Sequence, residues 1–376
     1  MHIIGLIAEY NPFHNGHLYQ INKIKEKYPD SILIAVVSSS FTQRGDVSIL
    51  DKWTKTEIAL NNNIDIIVEL PFVYSTQSSD IFANGAVTIL NKLGIDTLVF
   101  GTESDNIDII SSVADLQLNN REYDSLVKKY LKEGLNYPTA TNKAIMKLSG
   151  VKIDTPNDLL ALSYIKEVKK INKDINIINI KRTNSYHSLS SEDNIASATA
   201  IRNKYLNNEN ISNLIPYSPE LLQKISMNSF YPYLKYKIIS TGNNINKYHT
   251  VEEGIENRVI KAVYTSNNYE ELIKNIKTKR YTYNKISRML LHILINLTKE
   301  EALNINIDYI RILGFNTKGQ KYLNTIKRKI EIPLLTGYKK NISKLLDIEL
   351  RVTNIYSLVA VDISKKEYNK KPIIKK

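Results

Sequence analysis

Residues 3–17 read Ile-Ile-Gly-Leu-Ile-Ala-Glu-Tyr-Asn-Pro-Phe-His-Asn-Gly-His. The short apolar run, rich in β-branched residues, predicts a buried strand over His2–Ala8. The helical spacing of the apolar residues that follow predicts a helix over Gly16–Lys27. A strand that leads directly into a helix is typical of the first unit of an alternating α/β chain.

The alternation continues to about residue 180. Further strands are predicted over Ser31–Val37, Ile64–Leu70, Asp96–Phe100 and Ile175–Ile180, and further helices over Trp53–Leu60, Ile81–Leu93 and Asn157–Lys170. Near-continuous apolar strands predict a doubly wound parallel sheet covered on both faces. Ligands of such folds bind beyond the carboxyl ends of the strands. We therefore expect residues 9–17, 38–46, 101–103 and 181–183 to surround one crevice.

The first of these loops contains the pattern His-x-Gly-His. The spacing of His14 and His17 brings both imidazoles to one side of the first helical turn, and Gly16 permits close approach of backbone or ligand. A helix amino terminus favours a phosphate. Two imidazoles beside it can donate hydrogen bonds to the charge that develops at an α-phosphorus under attack. We therefore predict that His14 and His17 are catalytic; a turn with two surface histidines is the alternative.

A second phosphate element is predicted after the last strand. Ser197, Thr199 and Arg202 offer two hydroxyls and a guanidinium where a helix begins. They are suited to a β/γ-phosphate or a leaving pyrophosphate. Plain helix capping by Ser197 is the alternative.

The charge of the chain is divided unequally. Residues 1–180 hold 18 basic and 21 acidic residues, a net charge of −3. Residues 181–376 hold 33 basic and 17 acidic residues, a net charge of +16, so the positive excess of the whole chain, +13, lies entirely in the second half. Such asymmetry indicates a polyanionic partner, most often nucleic acid. Solubility charge, increased by a lysine-rich composition, is the alternative.

Composition excludes several classes of protein. The chain has no cysteine, so disulfides, thiolate metal sites and cysteine nucleophiles are ruled out. It contains no Gly-x-x-x-x-Gly-Lys-Ser/Thr loop, which argues against a P-loop enzyme. We see no signal peptide or apolar run that is long enough to cross a bilayer. A cytoplasmic protein without membrane contact is expected.

The pattern changes after Arg202, and prolines at 216 and 219 suggest a domain boundary near residue 215. Residues 216–376 are predicted to form a mostly helical, basic domain. Its predicted helices are Glu220–Met227, Tyr231–Ile239, Glu252–Val263, Tyr269–Ile276, Asn284–Leu297 and Lys318–Lys329. Within it, a basic tract over residues 274–288 interleaves with Tyr281 and Tyr283. Its basic residues are Lys274, Lys277, Lys279, Arg280, Lys285 and Arg288, of which Lys277, Lys279 and Arg280 are the predicted RNA contacts. Basic groups can neutralise phosphates while tyrosines stack on unpaired bases, although a solvated helix face is the alternative.

Several motifs together resemble one family. They are residues 5–17, Gln43-Arg44-Gly45, Asp51-Lys52-Trp53, Val68-Glu69-Leu70-Pro71, Pro156-Asn157-Asp158 and Ala196–Arg202. The His-x-Gly-His loop with a downstream Ser/Thr-x-x-Arg element is similar to the nucleotidyltransferase superfamily. The full set resembles the bacterial tRNA(Met) cytidine acetate ligases, over essentially the whole first half and less clearly over the second.

The resemblance implies a Rossmann-like nucleotidyltransferase domain over residues 1–215 and a tRNA-binding domain over residues 216–376. It implies that ATP and acetate give acetyladenylate, which acetylates N4 of the wobble cytidine of elongator tRNA(Met). The implied nucleotide contacts are Ile7, Ala8, Glu9, Tyr10, Asn11, Pro12, Phe13, His14, Asn15, Gly16, His17, Leu18, Tyr19, Gln20, Gly101, Asn157 and Arg182. From the residues alone, Asn157 is equally a helix cap, and Arg182 is alternatively a surface arginine.

The expected cofactor is ATP with Mg²⁺, and acetyl-CoA is not expected because no Gly-rich pyrophosphate loop is visible. Glu9 and Glu103 are the acidic candidates near the crevice, and neither has the spacing of metal ligands, so no resident metal site is predicted. Two other functions stay open. One is a nucleotidyltransferase that adenylates a small phosphorylated metabolite, and the other is a non-catalytic, nucleotide-sensing RNA-binding protein.

Overall fold

The computed structural model describes residues 1–182, 194–303, 305–340, 342–360 and 363–376. Five parallel strands form the centre of its sheet, in the spatial order β5, β4, β1, β2, β3. Their bounds are β1 Ile3–Ala8, β2 Ile32–Ser38, β3 Ile66–Leu70, β4 Thr97–Thr102 and β5 Asn176–Lys181. The five predicted strands are confirmed. β2 and β3 are buried along their whole length, as continuously apolar strands covered on both faces must be.

Helices of the first half cover this sheet. They are α1 Asn15–Lys27, α2 Lys52–Asn61, the short α3 Phe72–Ser75, α4 Ser79–Lys92, α5 Ile107–Asn119, α6 Arg121–Lys132, α7 Tyr137–Ser149 and α8 Pro156–Ile171. The predicted helices correspond to α1, α2, α4 and α8. Helices α5 to α7 were not predicted, although the buried residues Tyr123, Leu126 and Val127 of α6 have the spacing of one helix face. No helix in the described ranges is both long and apolar enough to cross a membrane.

The second half contributes helices and three strands. They are α9 Ala198–Leu206, α10 Tyr231–Thr241, α11 Ile255–Thr265, α12 Tyr269–Ile276, α13 Tyr283–Ile295, α14 Lys299–Leu303, β6 Ile310–Asn316, α15 Thr317–Ile326, β7 Leu334–Leu335, α16 Lys344–Tyr356, α17 Ser364–Asn369 and β8 Ile373–Lys375. Five predicted helices of this half correspond to α10, α11, α12, α13 and α15. The helix predicted over Glu220–Met227 is wrong. Two 3₁₀ turns flank an extended segment there, whose Gln223 amide donates to the carbonyl of Ile49.

The sheet does not end with the first half. Strand β6 pairs antiparallel with β3, with Ile66 opposite Phe315, and β7 and β8 pair with β6 in turn. The sheet is therefore mixed and mostly parallel, with helices around it. The predicted α/β class is confirmed, but the antiparallel strand β6 was not predicted. The division at residue 215 stays a prediction, to which the structure adds that residues 310–375 return to the sheet of the first half.

A buried ionic cluster that includes residues of β3 and β6 joins the two halves. The Nζ of Lys52 lies 2.6 Å from Glu69 and 2.9 Å from Glu367, and Arg311 pairs with the same two carboxylates. These four side chains are at most 1% exposed. Helix α2 and strands β3 and β6 are therefore fixed to helix α17 by charges that have no access to water.

Candidate active site

A cavity of about 1100 Å³ opens at the carboxyl ends of the parallel strands. All four of the predicted loops contribute to its wall, through residues such as His14, Arg44, Gly101 and Arg182. Thr183, which was predicted beside Arg182, lies outside the described residues. The rule that locates ligand sites at strand ends thus identifies the cavity correctly.

His14 and His17 form a stacked pair at the start of α1. Their ring centroids are 3.8 Å apart, and the rings are inclined by 31°. His14 is the N-cap residue: its Nδ1 accepts from the amide of Gly16 at 3.0 Å, while Nδ1 of His17 accepts from the amide of His14 at 3.2 Å. Each imidazole therefore satisfies a backbone donor that the first helical turn leaves free.

These contacts fix the tautomer of both rings. Because each Nδ1 accepts a hydrogen bond, the proton of each neutral imidazole is on Nε2. Burial, with Arg182 nearby, lowers the pKa of His14 to about 3, and burial and the adjacent His14 hold the pKa of His17 well below its usual value. At neutral pH the pair thus presents two uncharged Nε2–H donors in the cavity wall.

Gly16 is required by the ring of His14. A Cβ at position 16 would lie 2.8 Å from Cε1 of His14 and 2.9 Å from its Nδ1. The sequence predicted that backbone or a ligand approaches this glycine closely. The group that approaches in the structure is the cap histidine.

Most of the predicted nucleotide contacts line the cavity. They are Ile7, Ala8, Glu9, Tyr10, Asn11, His14, Gly16, His17, Tyr19, Gln20, Gly101, Asn157, Arg182, Ser197, Thr199 and Arg202. Pro12, Phe13, Asn15 and Leu18 are not in its wall. Phe13 is fully buried, and the side-chain amide of Asn15 donates to the carbonyls of Asn194 and Asn213. These four predictions gain no support from the geometry, and contact of the others with ATP stays a prediction.

Arg182 and Gly101 lie side by side at the carboxyl ends of neighbouring strands. Arg182 follows β5, and its amide donates to the carbonyl of Thr102 on β4. Its buried Nε has no hydrogen-bond partner among the described residues. A Cβ at Gly101 would meet no protein atom closer than Cγ of Arg182, at 3.6 Å. This edge of the sheet therefore has space beside a cationic side chain.

Asn157 does not cap its helix. Thr155 occupies the N-cap position of α8. Asn157 instead donates two hydrogen bonds to the carboxylate of Glu103, one from its backbone N–H at 3.1 Å and one from its side-chain Nδ2 at 2.5 Å. The capping alternative is thus wrong. Glu103 is occupied by this contact and does not line the cavity, whereas Asp46, Asp80 and Glu252, which the sequence did not single out, do.

Ser197, Thr199 and Arg202, the residues of the predicted second phosphate element, lie together in the cavity wall. Ser197 caps α9 by accepting from the amide of Ala200, so the capping function is confirmed. Arg202 donates to Oγ1 of Thr199 and to the carbonyl of Asn11, and it lies 3.6 Å from Asp46. The guanidinium thus connects α9 to the His-x-Gly-His loop across the cavity.

The loop around Gly45 connects the cavity to α13. The amide of Gln43 donates to Glu9 at 2.5 Å. On its other side, Gly45 packs so closely on Ser287 and Arg288 that a Cβ there would lie 2.8 Å from their backbone, and its φ of +85° favours glycine. The tight turn predicted at Gly45 thus fits between the nucleotide loop and the basic half.

The predicted RNA-binding residues are only partly at the cavity. Arg280 lines it, but Lys277 and Lys279 are exposed outside its wall. Tyr281, expected to be available for stacking, is buried and donates to Glu252. The exposed ring at this mouth is Tyr137, at the start of α7, which lies in a segment for which no helix was predicted.

Lys285 and Arg288 on α13, which belong to the predicted basic tract 274–288, also line the cavity. Phe82, Phe100 and Tyr164 line it too, and they were missed because nothing in their local sequence marks them. The rings of Phe100 and Tyr164 are 5.5 Å apart. The cavity therefore combines an aromatic wall, which suits a flat ring, with basic groups at its mouth. The described residues contain no cluster of three or more His, Asp or Glu that is suited to a metal ion.

Comparison with known proteins agrees with this geometry. The family model described as HIGH Nucleotidyl Transferase matches residues 1–371. A relative from Clostridium tetani named tRNA(Met) cytidine acetate ligase is 38% identical, with all of both chains covered. Thermotoga maritima TmcAL superposes in its apo form with a TM-score of 0.92 at 28% identity, and bound with alpha-thio ATP with a TM-score of 0.89 at 30% identity. Each superposition covers 100% of this chain and 99% of the other. The chain therefore belongs to the HIGH nucleotidyl transferase family and, within it, to the tRNA(Met) cytidine acetate ligases.

Proposed function

We propose that the chain activates acetate with ATP and acetylates N4 of the wobble cytidine of elongator tRNA(Met). The observation that carries the proposal is the stacked pair of Nε2–H donors, His14 and His17, in a cavity that is also lined by Arg280, Lys285 and Arg288. The pair suits nucleotidyl transfer, and the basic mouth suits a polyanion.

In the first step, acetate attacks the α-phosphorus of ATP and pyrophosphate leaves. Acetate is already an anion, so the attack needs no general base. The imidazoles stabilise the charge on the α-phosphate through Nε2–H donors, while Arg182 and Arg202 contact the phosphates. We place the adenine ring against Phe100 and Tyr164, beside Gly101 and Asn157. Mg²⁺ enters as part of the MgATP substrate.

In the second step, the cytosine amine attacks the acetyl group of acetyladenylate and AMP leaves. The wobble base leaves its stack to reach the histidines, and its neighbours rest near Tyr137 and Arg280. The cavity of about 1100 Å³ supports entry of a nucleotide beside bound ATP. A small phosphorylated metabolite would make no use of the basic mouth. We place the reaction in the cytoplasm, where tRNA is modified, with acetate rather than acetyl-CoA as acyl donor.

The test uses the full chain with MgATP, labelled acetate and an elongator tRNA(Met) transcript, followed by mass analysis of nucleosides. Acetylated cytidine is expected without acetyl-CoA, and not on a transcript that carries uridine at the wobble position. Acetate should also stimulate ATP–pyrophosphate exchange. Acetylation that required acetyl-CoA, or exchange independent of any carboxylate, would contradict the proposal.

A further inference from the structure

Acetyl transfer to an amine releases a proton, and the two histidines are unsuited to accept it. Each Nδ1 already accepts a backbone amide, and each Nε2 carries the ring proton. A further proton would place a cation 3.8 Å from the neighbouring ring and close to Arg182. The proton acceptor of the second step must therefore be another group.

Three of the four carboxylates in the described wall are already paired with cations. Asp46 lies 3.6 Å from Arg202, Asp80 lies 2.6 Å from Lys166, and Glu252 lies 2.7 Å from Lys285. A carboxylate held by a cation is a weaker base, because the charged form is stabilised.

Glu9 differs from these three. It is half-buried where β1 ends, five residues before His14, and none of the ion pairs among the described residues includes it. Its Oε1 accepts from the amide of Gln43 at 2.5 Å. Lys55 is fully buried beneath it, but Nζ donates to the backbone carbonyls of Glu9, Ser38 and Ser39 rather than to the carboxylate. The backbone of Glu9 is thus fixed while its carboxylate faces the cavity without an ion-pair partner.

The electrostatics agree with a proton acceptor. Burial raises the pKa of Glu9 above its usual value, although the amide of Gln43 and the charges of Arg44, Lys55 and Arg202 act in the opposite direction. A carboxylate with a raised pKa is a better base than an exposed one.

We propose that Glu9 is the catalytic base of acetyl transfer and accepts the proton that N4 of the cytosine loses. The N4 lone pair forms a bond to the acetyl carbon, and the bond from that carbon to the phosphate oxygen breaks, its electron pair leaving with AMP. One N4 proton passes to a carboxylate oxygen of Glu9 and then to water, and the other stays on the amide. This inference rests on the proposed function.

The test isolates the second step by supplying synthetic acetyladenylate at saturating concentration to Glu9→Gln and measuring single-turnover acetylation of the tRNA. Glutamine keeps the side-chain size and an acceptor oxygen for Gln43. The transfer rate should fall by about 10²–10⁴-fold, as for loss of a general base. The wild-type rate should rise with pH through an acid limb that is absent in Glu9→Gln. Glu9→Asp should restore part of the rate and the limb.

Asp80→Asn is the matched control, because it removes another cavity carboxylate and should keep both rate and limb. If Glu9→Gln transferred the acetyl group at the wild-type rate, with the acid limb of the pH profile intact, the role of Glu9 would be overturned and the proposed function would stand. A wild-type protein that cannot use acetyladenylate at all would overturn the proposed function, and the role of Glu9 with it.

Discussion

His14 combines a structural contact with the proposed chemical one. Its Nδ1 caps α1, and its Nε2–H is available in the cavity. His17 makes a comparable backbone contact but is less buried. Substituting the two histidines should therefore have different effects on stability and similar effects on adenylation.

We predict that His14→Ala and His17→Ala each lower acetate-dependent ATP–pyrophosphate exchange by about 10²–10³-fold, as for loss of a preorganised donor. His14→Ala should also lower the free energy of unfolding by about 1 kcal/mol, because the N-cap acceptor is lost. His14→Ser should recover most of that stability and none of the exchange, as calorimetry and exchange assays can check. Full exchange in a folded double variant would remove the catalytic roles.

Buried neutral histidines also affect the pH dependence of stability. Burial lowers the pKa of both His14 and His292 to about 3, against about 6.5 in an unfolded chain. Unfolding therefore takes up protons as the pH falls from 6.5 towards 3, so the stability that neutral histidines contribute is present above pH 6.5 and is lost below it. Glu349, whose pKa burial raises to about 8, acts in the opposite direction.

Replacing His292 isolates the contribution of one of these buried groups to the pH dependence of stability. We expect His292→Asn to lose about 1 kcal/mol less free energy of unfolding than the wild type between pH 7.5 and 5.5. Urea denaturation at the two pH values measures this difference. Equal losses in the two proteins would show that His292 is already protonated in the folded state or is not buried.

At the scale of elements, the mouth of the cavity is formed by two segments from opposite halves of the chain. The start of α7 and the loop between α12 and α13 meet where the side chain of Asn136 donates to the carbonyl of Lys279, at 3.3 Å. Arg280 follows directly and lines the cavity, whereas Lys277 and Lys279 do not. The three basic residues that the sequence grouped together are therefore not equivalent.

We predict that Arg280→Ala raises the KM for tRNA more than Lys277→Ala and Lys279→Ala combined. A phosphate contact inside the mouth is lost in the first variant, and only long-range attraction is lost in the second. Steady-state acetylation at two salt concentrations is the measurement. A larger effect of the lysine pair would place the RNA on the outer face of the α12–α13 loop.

Elements with a strong periodic signal could be predicted from the sequence, and those defined by distant partners could not. β1 to β5 and the four helices that alternate with them follow from apolar runs and helical spacing. β6 also has an apolar run, but its place beside β3 depends on a partner about 240 residues earlier. Within the site, His14, His17 and Arg202 were visible as a motif. Tyr137 and Tyr164 reach the same cavity only through tertiary packing.

For the whole molecule, the buried ionic cluster makes the two halves dependent on each other. Removing Arg311 leaves Glu69 and Glu367 with Lys52 as the remaining cation of the cluster. We predict that Arg311→Leu lowers the free energy of unfolding by about 3–5 kcal/mol, the usual cost of an uncompensated buried charge. Urea denaturation is the measurement, with Arg311→Lys as the variant that keeps the charge. A loss below 1 kcal/mol would show that water reaches the cluster.

The antiparallel pairing of β3 with β6 also has a consequence for synthesis on the ribosome. The strand order places the partner of β3 about 240 residues further along the chain. Because synthesis adds roughly 5–20 residues per second, the hydrogen-bonding edge of β3 stays unpaired for roughly 12–48 s before β6 has been synthesised. A nascent chain that exposes an apolar edge for so long is a substrate for chaperones that bind unpaired strands. Arrest-peptide profiling should accordingly show the last folding force only after β6 and β8 have left the exit tunnel.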